Sequence, residues 1–343
     1  MNGRYRPVSL PVCEPGGPDP TVLIDQITTW VTSPAVRDLV ALFDGQWPGH
    51  GTTAELLDYL EAFSAEHWDF RRGRERNLAR TQQFDPRTQE VIREAAWALG
   101  LVDPPKPARG DYSHLVILGG LVRACLARPA AARMLLAEQV QVPEVTALSG
   151  FRPLVGDEAV VADTFGLERG EGAFRDTEFA LMDSGMRRAF NLTGLPHAQG
   201  EGDIQHSPRT SWWTHSYRDA AGRVIRVVAA PSSEPELRRA NTADTYRFWA
   251  QHIARLTPAD RVLLVTSTIY VPFQHCDAIR TLGLRHGCGI DTVAVDPQTM
   301  DPALRQPVTS TQFLQEIRSA IRSLRALHQA VSDITESGSQ SRL

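Results

Sequence analysis

A short apolar run that stops at two glycines constrains the fold more than any other feature of the sequence. Residues 113–120 read SHLVILGG, and a stretch of helical character follows at 121–138. The run is too short for a buried helix, whereas strands of parallel sheets are short, apolar and end in turns of this kind. Strand, glycine turn and helix are typical of the opening unit of a doubly wound α/β sheet, whose ligands bind at the carboxyl ends of the strands.

The same alternation recurs along the chain. Further strands are predicted at 144–148, 224–230, 262–265 and 292–295, and helices at 177–191, 242–256, 273–286 and 309–333. Because strand and helix alternate five times, the sequence predicts an α/β fold with a doubly wound, mainly parallel five-stranded sheet of Rossmann-like type.

The chain is expected to divide into four segments. They are an extended N-terminus at 1–20, a helical subdomain at 21–103, a Rossmann-like domain at 110–335 with an insertion at about 194–223, and a disordered tail at 336–343. The helical subdomain is predicted from helix-start signals: Ser33-Pro34, Thr52 with Glu55, and Asp85-Pro86. A Pro-rich stretch at 103–107 predicts a stiff linker.

Composition and charge exclude several function classes. The net charge is −4 and the pI is about 6.2, so no nucleic-acid partner is expected. No run of about 18 apolar residues occurs, so neither a membrane span nor a signal peptide is expected. The four cysteines contain no Cys-x-x-Cys pair and are expected to be buried thiols of a cytoplasmic protein. They are Cys13, Cys125, Cys276 and Cys288.

The order of motifs across 113–295 resembles the YdcF/SanA/ElyC family, a Rossmann-like group of mostly unassigned function. The matching motifs are Gly119-Gly120, Ser149-Gly150-Phe151, Glu178 at the head of a helix, Asn241-Thr242-Ala243-Asp244-Thr245 and Val265-Thr266-Ser267. The sequence departs from the family pattern at Phe151, which replaces a glycine, and at Asp244, which replaces a glutamate. Tyr270 and Phe273 stand near the places of a family His and Arg. Soluble members are thought to bind S-adenosylmethionine or a related nucleotide-like ligand, so the resemblance implies such a ligand.

Glycines and small polar residues at four strand ends predict a ligand site. Backbone N–H groups of Gly119 and Gly120 are expected to face an anion at a helix N-terminus, with Arg123 and Arg152 as side-chain contacts. The structural alternatives are a tight turn without a ligand and an ion pair between Arg152 and a loop carboxylate such as Asp157 or Glu158. The predicted ligand-binding residues are Gly119, Gly120, Arg123, Ser149, Gly150, Arg152, Asn241, Thr242, Thr266 and Ser267.

Three residues are predicted to move protons: Glu178, His275 and Asp244. Glu178 fits a general base or a hydroxyl acceptor, although its first-turn position also explains it as a helix-capping carboxylate. His275 follows the strand at 262–265 and is the histidine best placed for acid–base work. Asp244 lies three residues after Asn241, so it fits either a catalytic role or a capping box.

Two further segments carry unusual residues. The insertion at 194–223 contains His197, His206, His215, Trp212 and Trp213. The nine-residue spacing of its histidines matches no common ligand pattern, so no metal is expected, and the segment is predicted to be a lid over the strand ends. The stretch 71–77, which contains Arg74 and Arg76, fits a solvated surface better than an anion site.

Two functional hypotheses follow from these observations. The first is an enzyme of transferase or lyase type that binds a small anionic or nucleotide-like molecule in a biosynthetic pathway. Its cofactor is left open, with S-adenosylmethionine or another nucleotide-like ligand as candidates. The second is a non-catalytic ligand-binding or partner subunit that associates with a protein partner, or with another copy of itself, through its helical regions.

Overall fold

The computed structural model describes residues 4–49, 51–72, 81–138, 140–305 and 307–340, with side chains described as far as residue 337. The predicted anion contacts Arg74 and Arg76 lie outside these residues. Contacts divide the chain into two units. Unit 1 comprises Met1–Pro104, Thr268–Arg285 and Gln306–Leu343, and unit 2 comprises Pro105–Ser267 and His286–Arg305.

The helices and strands are numbered in chain order. The helices are α1 (Pro20–Val31), α2 (Pro34–Leu42), α3 (Thr53–His67), α4 (Pro86–Ala98), α5 (Val122–Glu138), α6 (Glu158–Thr164), α7 (Glu178–Phe190), α8 (Thr242–Phe248), α9 (Val271–Ala278), α10 (Leu284–His286) and α11 (Ser310–Gln340). The strands are β1 (His114–Leu118), β2 (Glu144–Ser149), β3 (His197–Glu201), β4 (Trp212–Arg218), β5 (Val224–Ala229), β6 (Arg261–Ser267) and β7 (Gly289–Val295).

Unit 1 is helical, and its helices begin where the sequence predicts. Thr52 and Glu55 form a complete capping box before α3, and the Asp85 carboxylate accepts hydrogen bonds from two N–H groups of the first turn of α4. At the start of α11, Gln312 and Thr309 bond each other's backbone N–H groups, at 2.8 and 3.3 Å. These side chains satisfy N–H groups that a helix end leaves without partners.

Among its described residues, the N-terminal stretch has no helix before α1; Tyr5 and Cys13 are buried, and Val8 N–H donates to the Ala98 carbonyl at 2.8 Å. Two expectations about the C-terminal region are wrong. The last helix belongs to unit 1 rather than to the α/β domain, since α11 packs on α1, α3, α4 and α9. Its backbone stays helical to Gln340, so residues 336–340 are not a disordered tail.

Unit 2 contains a mixed sheet, which over the described residues has seven strands in the order β3-β4-β5-β2-β1-β6-β7. The five predicted strands are present and mutually parallel. The predicted number of strands is wrong, because β4 pairs antiparallel with β5, and β3 pairs antiparallel with β4 at the edge of the sheet. They lie in the segment that was expected to be a lid. Since most residues of β3 are exposed, its sequence lacks the apolar alternation of a strand.

Helices α5 and α7 cover one face of this sheet. Alternate strand residues point toward them and form one apolar cluster, which includes Ile117, Ala147 and Val227 together with Phe179 and Met186 of α7. The glycine turn after β1 lies next to the first residue of α7, because a methyl group added to Gly119 would be 2.3 Å from Oε1 of Glu178.

Candidate functional site

Two buried arginines orient the glycine turn that follows β1. Arg128 of α5 is only 1% exposed and donates through Nη1 to the carbonyl oxygens of Leu118 and Gly119, at 2.7 and 2.5 Å. Arg152 donates through Nη2 to the carbonyl of Gly120 at 3.4 Å. In a trans peptide group the N–H points opposite to the C=O. The N–H groups of Gly120 and Leu121 therefore point away from the guanidinium groups, and neither donates to another described residue.

Arg152 lies between two buried carboxylates instead of facing a ligand. Its Nη1 and Nη2 donate to Glu158 at 2.6 and 2.9 Å, and its Nε donates to Glu178 at 2.9 Å. The remaining N–H groups reach the carbonyls of Pro153 and Gly120. All five N–H groups are thus engaged inside the protein. Arg152 therefore has no free N–H group for the predicted direct contact with an anion, and the alternative ion pair with Glu158 is confirmed.

Glu178 is the predicted catalytic residue that the structure brings to the glycine turn. A methyl group added to Gly119 would lie 2.3 Å from Oε1 of Glu178 and 2.7 Å from the carbonyl oxygen of Leu148. Burial raises the pKa of the Glu178 carboxyl above its ordinary value, although Arg152 and Arg239 act in the opposite direction. Such a carboxyl holds its proton to higher pH than an exposed one.

Close packing of α7 on α5 sets the position of Glu178. Pro129 in the middle of α5 has no N–H, so it cannot donate to the Cys125 carbonyl one turn earlier. Gly185 of α7 lies against that carbonyl, since an added methyl group would be 1.9 Å from the Cys125 oxygen. Thr177 caps α7 by accepting the Ala180 N–H, and the Glu178 N–H donates to the Arg152 carbonyl at 2.9 Å.

Ser149 and Gly150 lie beside this turn, as predicted. Ser149 is 6% exposed, and among the described residues its Oγ has no hydrogen-bond partner. The Ser149 Cα lies 3.4 Å from the position that a Gly119 methyl group would take. The Gly150 carbonyl accepts the Phe179 N–H at 3.0 Å, and a methyl group on Gly150 would meet no atom within 4 Å.

The end of β6 joins the site through Arg128. Ser267 Oγ accepts from both Nε and Nη2 of Arg128, each at 3.2 Å, and Thr266 is fully buried beside it in the strand. Arg123 lies in the first turn of α5 with its guanidinium 5.8 Å from the centre of the Phe165 ring. Its predicted role as an anion contact stays a prediction.

The Asn241–Asp244 motif forms a capping box at α8. The Asn241 side chain accepts the Asp244 N–H, and the Asp244 carboxylate accepts the Asn241 N–H, both at 3.0 Å, with Thr242 as the first helical residue. Asp244 also accepts from Ser233 at 2.7 Å and pairs with Arg238. Burial alone would raise the pKa of Asp244, but these hydrogen bonds lower it. The structure thus supports capping for this motif, and its catalytic role remains a prediction.

His275 belongs to unit 1, whereas the glycine turn and Glu178 belong to unit 2. The His275 ring is buried, and its Nε2–H donates to the Pro11 carbonyl at 2.7 Å. That contact anchors the N-terminal stretch within unit 1 and uses one of the two nitrogens that acid–base chemistry would need.

Sequence reasoning missed two side chains of this region, Arg128 and Arg239. Arg128 was hidden because an arginine seven residues into a helix has no local signature of burial. Glu158 was considered only as a partner for Arg152. Arg239 is an exposed cation on the loop before α8, and its charge lowers the pKa of Glu178. Only the tertiary structure shows that these residues meet.

The segment expected to be a lid holds a different cluster. His215 Nδ1 lies 3.1 Å from Asp183 of α7, and Tyr217 donates to the same carboxylate at 2.8 Å, which fastens β4 to α7. Among the described residues, no group of three or more His, Cys, Asp or Glu side chains could hold a metal ion. In the same part of the chain, no helix is both long and apolar enough to cross a bilayer.

Comparisons with known proteins give similarity without an activity. Residues 14–100, which include α1 to α4, match the family model described as the Rv3785 N-terminal domain. The chain is 29% identical over 353 residues to "Uncharacterized protein Rv3785" of Mycobacterium tuberculosis and to "Uncharacterized protein Mb3814" of Mycobacterium bovis, covering 94% of this chain and 94% of each relative. No solved structure matches the chain significantly. The resemblance to the YdcF/SanA/ElyC family stays a prediction.

Proposed function

We propose that unit 2 binds a small anionic or nucleotide-like molecule at the carboxyl ends of its parallel strands, as a Rossmann-like domain does. The observation that carries this proposal is the orientation of the turn after β1. Arg128 and Arg152 hold its carbonyls, so the N–H groups of Gly120 and Leu121 point to the other side at the start of a 17-residue helix. Backbone N–H groups at such a helix end favour an anion.

The electrostatics of the neighbouring side chains support the same conclusion. With a protonated Glu178, the cluster of Arg152, Glu158 and Glu178 carries no net charge, so it does not repel an anion. The raised pKa of Glu178 favours this form of the cluster. The buried Ser149 hydroxyl beside the turn offers a further donor. Exposed Arg239 adds positive potential near Glu178.

The catalytic part of the proposal assigns proton transfer to Glu178. A carboxyl with a raised pKa next to a bound anion can donate a proton to it, as group transfer or elimination requires. S-adenosylmethionine and nucleotides are the ligands to examine first. Within unit 2, Asp244 is engaged in capping, whereas Glu178 lies against Gly119 of the turn. This observation favours a non-catalytic ligand-binding subunit as the second candidate.

Calorimetric titration with S-adenosylmethionine, AMP, ATP and inorganic phosphate tests the proposal. We expect at least one probe to bind the wild-type protein, and Gly119→Ala to weaken it at least tenfold, because the methyl group collides with Glu178 and the Leu148 carbonyl. Gly49→Ala is the matched control and should bind like the wild type, since Gly49 belongs to unit 1 and its methyl group would meet no atom within 4 Å.

Two results would contradict this function. One is the failure of all four probes to bind at millimolar concentration. The other is a Gly119→Ala protein that melts like the wild type and binds equally well. If a probe binds without being converted to a product, and Glu178→Gln binds it with the same affinity as the wild type, the non-catalytic candidate is favoured.

A further inference from the structure

Strand β3 forms one edge of the sheet. It pairs antiparallel with β4 from His197 opposite Ser216 to Glu201 opposite Trp212, with an unbroken register. Among the described residues, no strand pairs with its other side. Four of its five residues are exposed, and only Gly200 is half-buried. The outer N–H and C=O groups of β3 are therefore accessible to another strand.

Several of the features that prevent pairing at sheet edges are absent from β3. Proteins protect edge strands with proline, lysine, bulges or inward-pointing charges. The sequence of β3, HAQGE, contains no proline or lysine, and its register shows no inserted residue. Just before the strand, Leu195 is 97% exposed. The opposite edge differs, because five of the seven residues of β7 are buried.

The side chains of β3 are complementary to themselves. In an antiparallel pair of two β3 strands centred on Gln199, His197 faces Glu201 of the second copy, and Glu201 faces His197 of the second copy. The two residues lie four positions apart, so they share one face of the sheet. An imidazole opposite a carboxylate is a favourable cross-strand pair.

The other face of β3 also permits close pairing. Ala198 and Gly200 are its side chains there, and they would stand opposite Gly200 and Ala198 of the second copy. Trp213 leaves no room for a side chain at Gly200, since a methyl group there would lie 1.9 Å from the indole ring. This face therefore presents no bulky or charged group at the edge.

We propose that β3 of a second copy of this chain pairs with β3, antiparallel about a two-fold axis midway between the two Gln199 residues, so that one continuous sheet crosses the dimer. A two-fold axis perpendicular to the sheet keeps matching faces on the same side, and it satisfies both His197–Glu201 pairs at once. The proposal is independent of the function proposed for the strand ends.

Analytical ultracentrifugation of the full chain between 1 and 200 µM tests the dimer. We expect the wild type to associate reversibly. His197→Glu places two like-charged pairs across the axis and should weaken association roughly 2- to 30-fold. Adding Glu201→Arg to His197→Glu creates two Glu–Arg pairs and should restore it. Thermal melting of both variants checks that these exposed substitutions leave the fold intact.

Hydrogen exchange gives a second, local readout. Amide groups of His197–Glu201 should exchange more slowly as protein concentration rises, and those of His197→Glu should not. A wild type that stays monomeric throughout this range would overturn the proposal. So would a dimer that His197→Glu leaves unchanged, because the interface would then lie elsewhere. Protection of β3 only on addition of another protein would assign the edge to a different partner and would also overturn it.

Discussion

Replacing Gly185 with alanine tests whether the packing of α7 on α5 holds the candidate site together. The added methyl carbon would lie 1.9 Å from the Cys125 carbonyl oxygen and 3.0 Å from its carbon. An ordinary contact between a carbon and a carbonyl oxygen is about 3.3–3.6 Å, so α7 must move away by about 1.4 Å or more. The oxygen belongs to the backbone of a helix and cannot rotate aside.

The expected cost can be worked out from these distances. Overpacking of this kind costs about 3 kcal/mol or more, at the upper end of the usual range, because neither helix backbone can yield locally. Alanine regains about 1 kcal/mol through its higher helix propensity than glycine. We therefore expect the free energy of unfolding of the protein to fall by about 2 kcal/mol. Urea unfolding monitored by circular dichroism measures this change.

Gly150→Ala is the control for this prediction. It makes the same chemical change near the same site, but its methyl group meets no atom within 4 Å and its φ is not positive. Its stability should stay equal to the wild type or rise by about 0.4–1 kcal/mol. A Gly185→Ala protein as stable as the wild type, or more so, would refute the close approach of α7 to the Cys125 carbonyl.

Two further predictions concern the charged cluster beneath the glycine turn. Arg152→Met leaves the Glu158 carboxylate buried without a cation and removes the hydrogen bond to Glu178. We therefore expect a loss of about 3–5 kcal/mol in thermal unfolding at pH 7, and a loss below 1 kcal/mol would argue against the buried Arg152–Glu158 ion pair. Burial raises the pKa of Glu178 above its ordinary value of 4.5, so from pH 4.5 up to the raised pKa the folded protein holds a proton that the unfolded chain has lost. The free energy of unfolding should therefore fall as pH rises through this window, by about 1.36 kcal/mol for each unit of pKa shift. Glu178→Gln should lack this slope, and a wild type that instead gains stability over Glu178→Gln with rising pH would show a lowered pKa.

The sequence predicts the features of this protein that depend on neighbouring residues. The capping boxes at Thr52 and Asn241 and the strand before Gly119 follow from local patterns, and the structure contains all of them. The sequence is a poor guide to features that depend on contacts between elements distant along the chain. Arg128 and Glu158 look like ordinary polar residues of a helix, and only tertiary packing shows that both are buried.

The roles of the two arginines illustrate why a residue type does not determine its function. Arg152 directly follows a strand and its tip, so it was expected to bind an anion, yet Glu158 and Glu178 use its N–H groups. Together with Arg128, it instead fixes the direction of successive peptide groups in the glycine turn. A guanidinium that binds carbonyls exposes the N–H groups on the other side of the same peptide planes. The positive potential that would attract an anion then comes from these backbone N–H groups. A substitution of either arginine should therefore change ligand binding by changing the geometry of the turn.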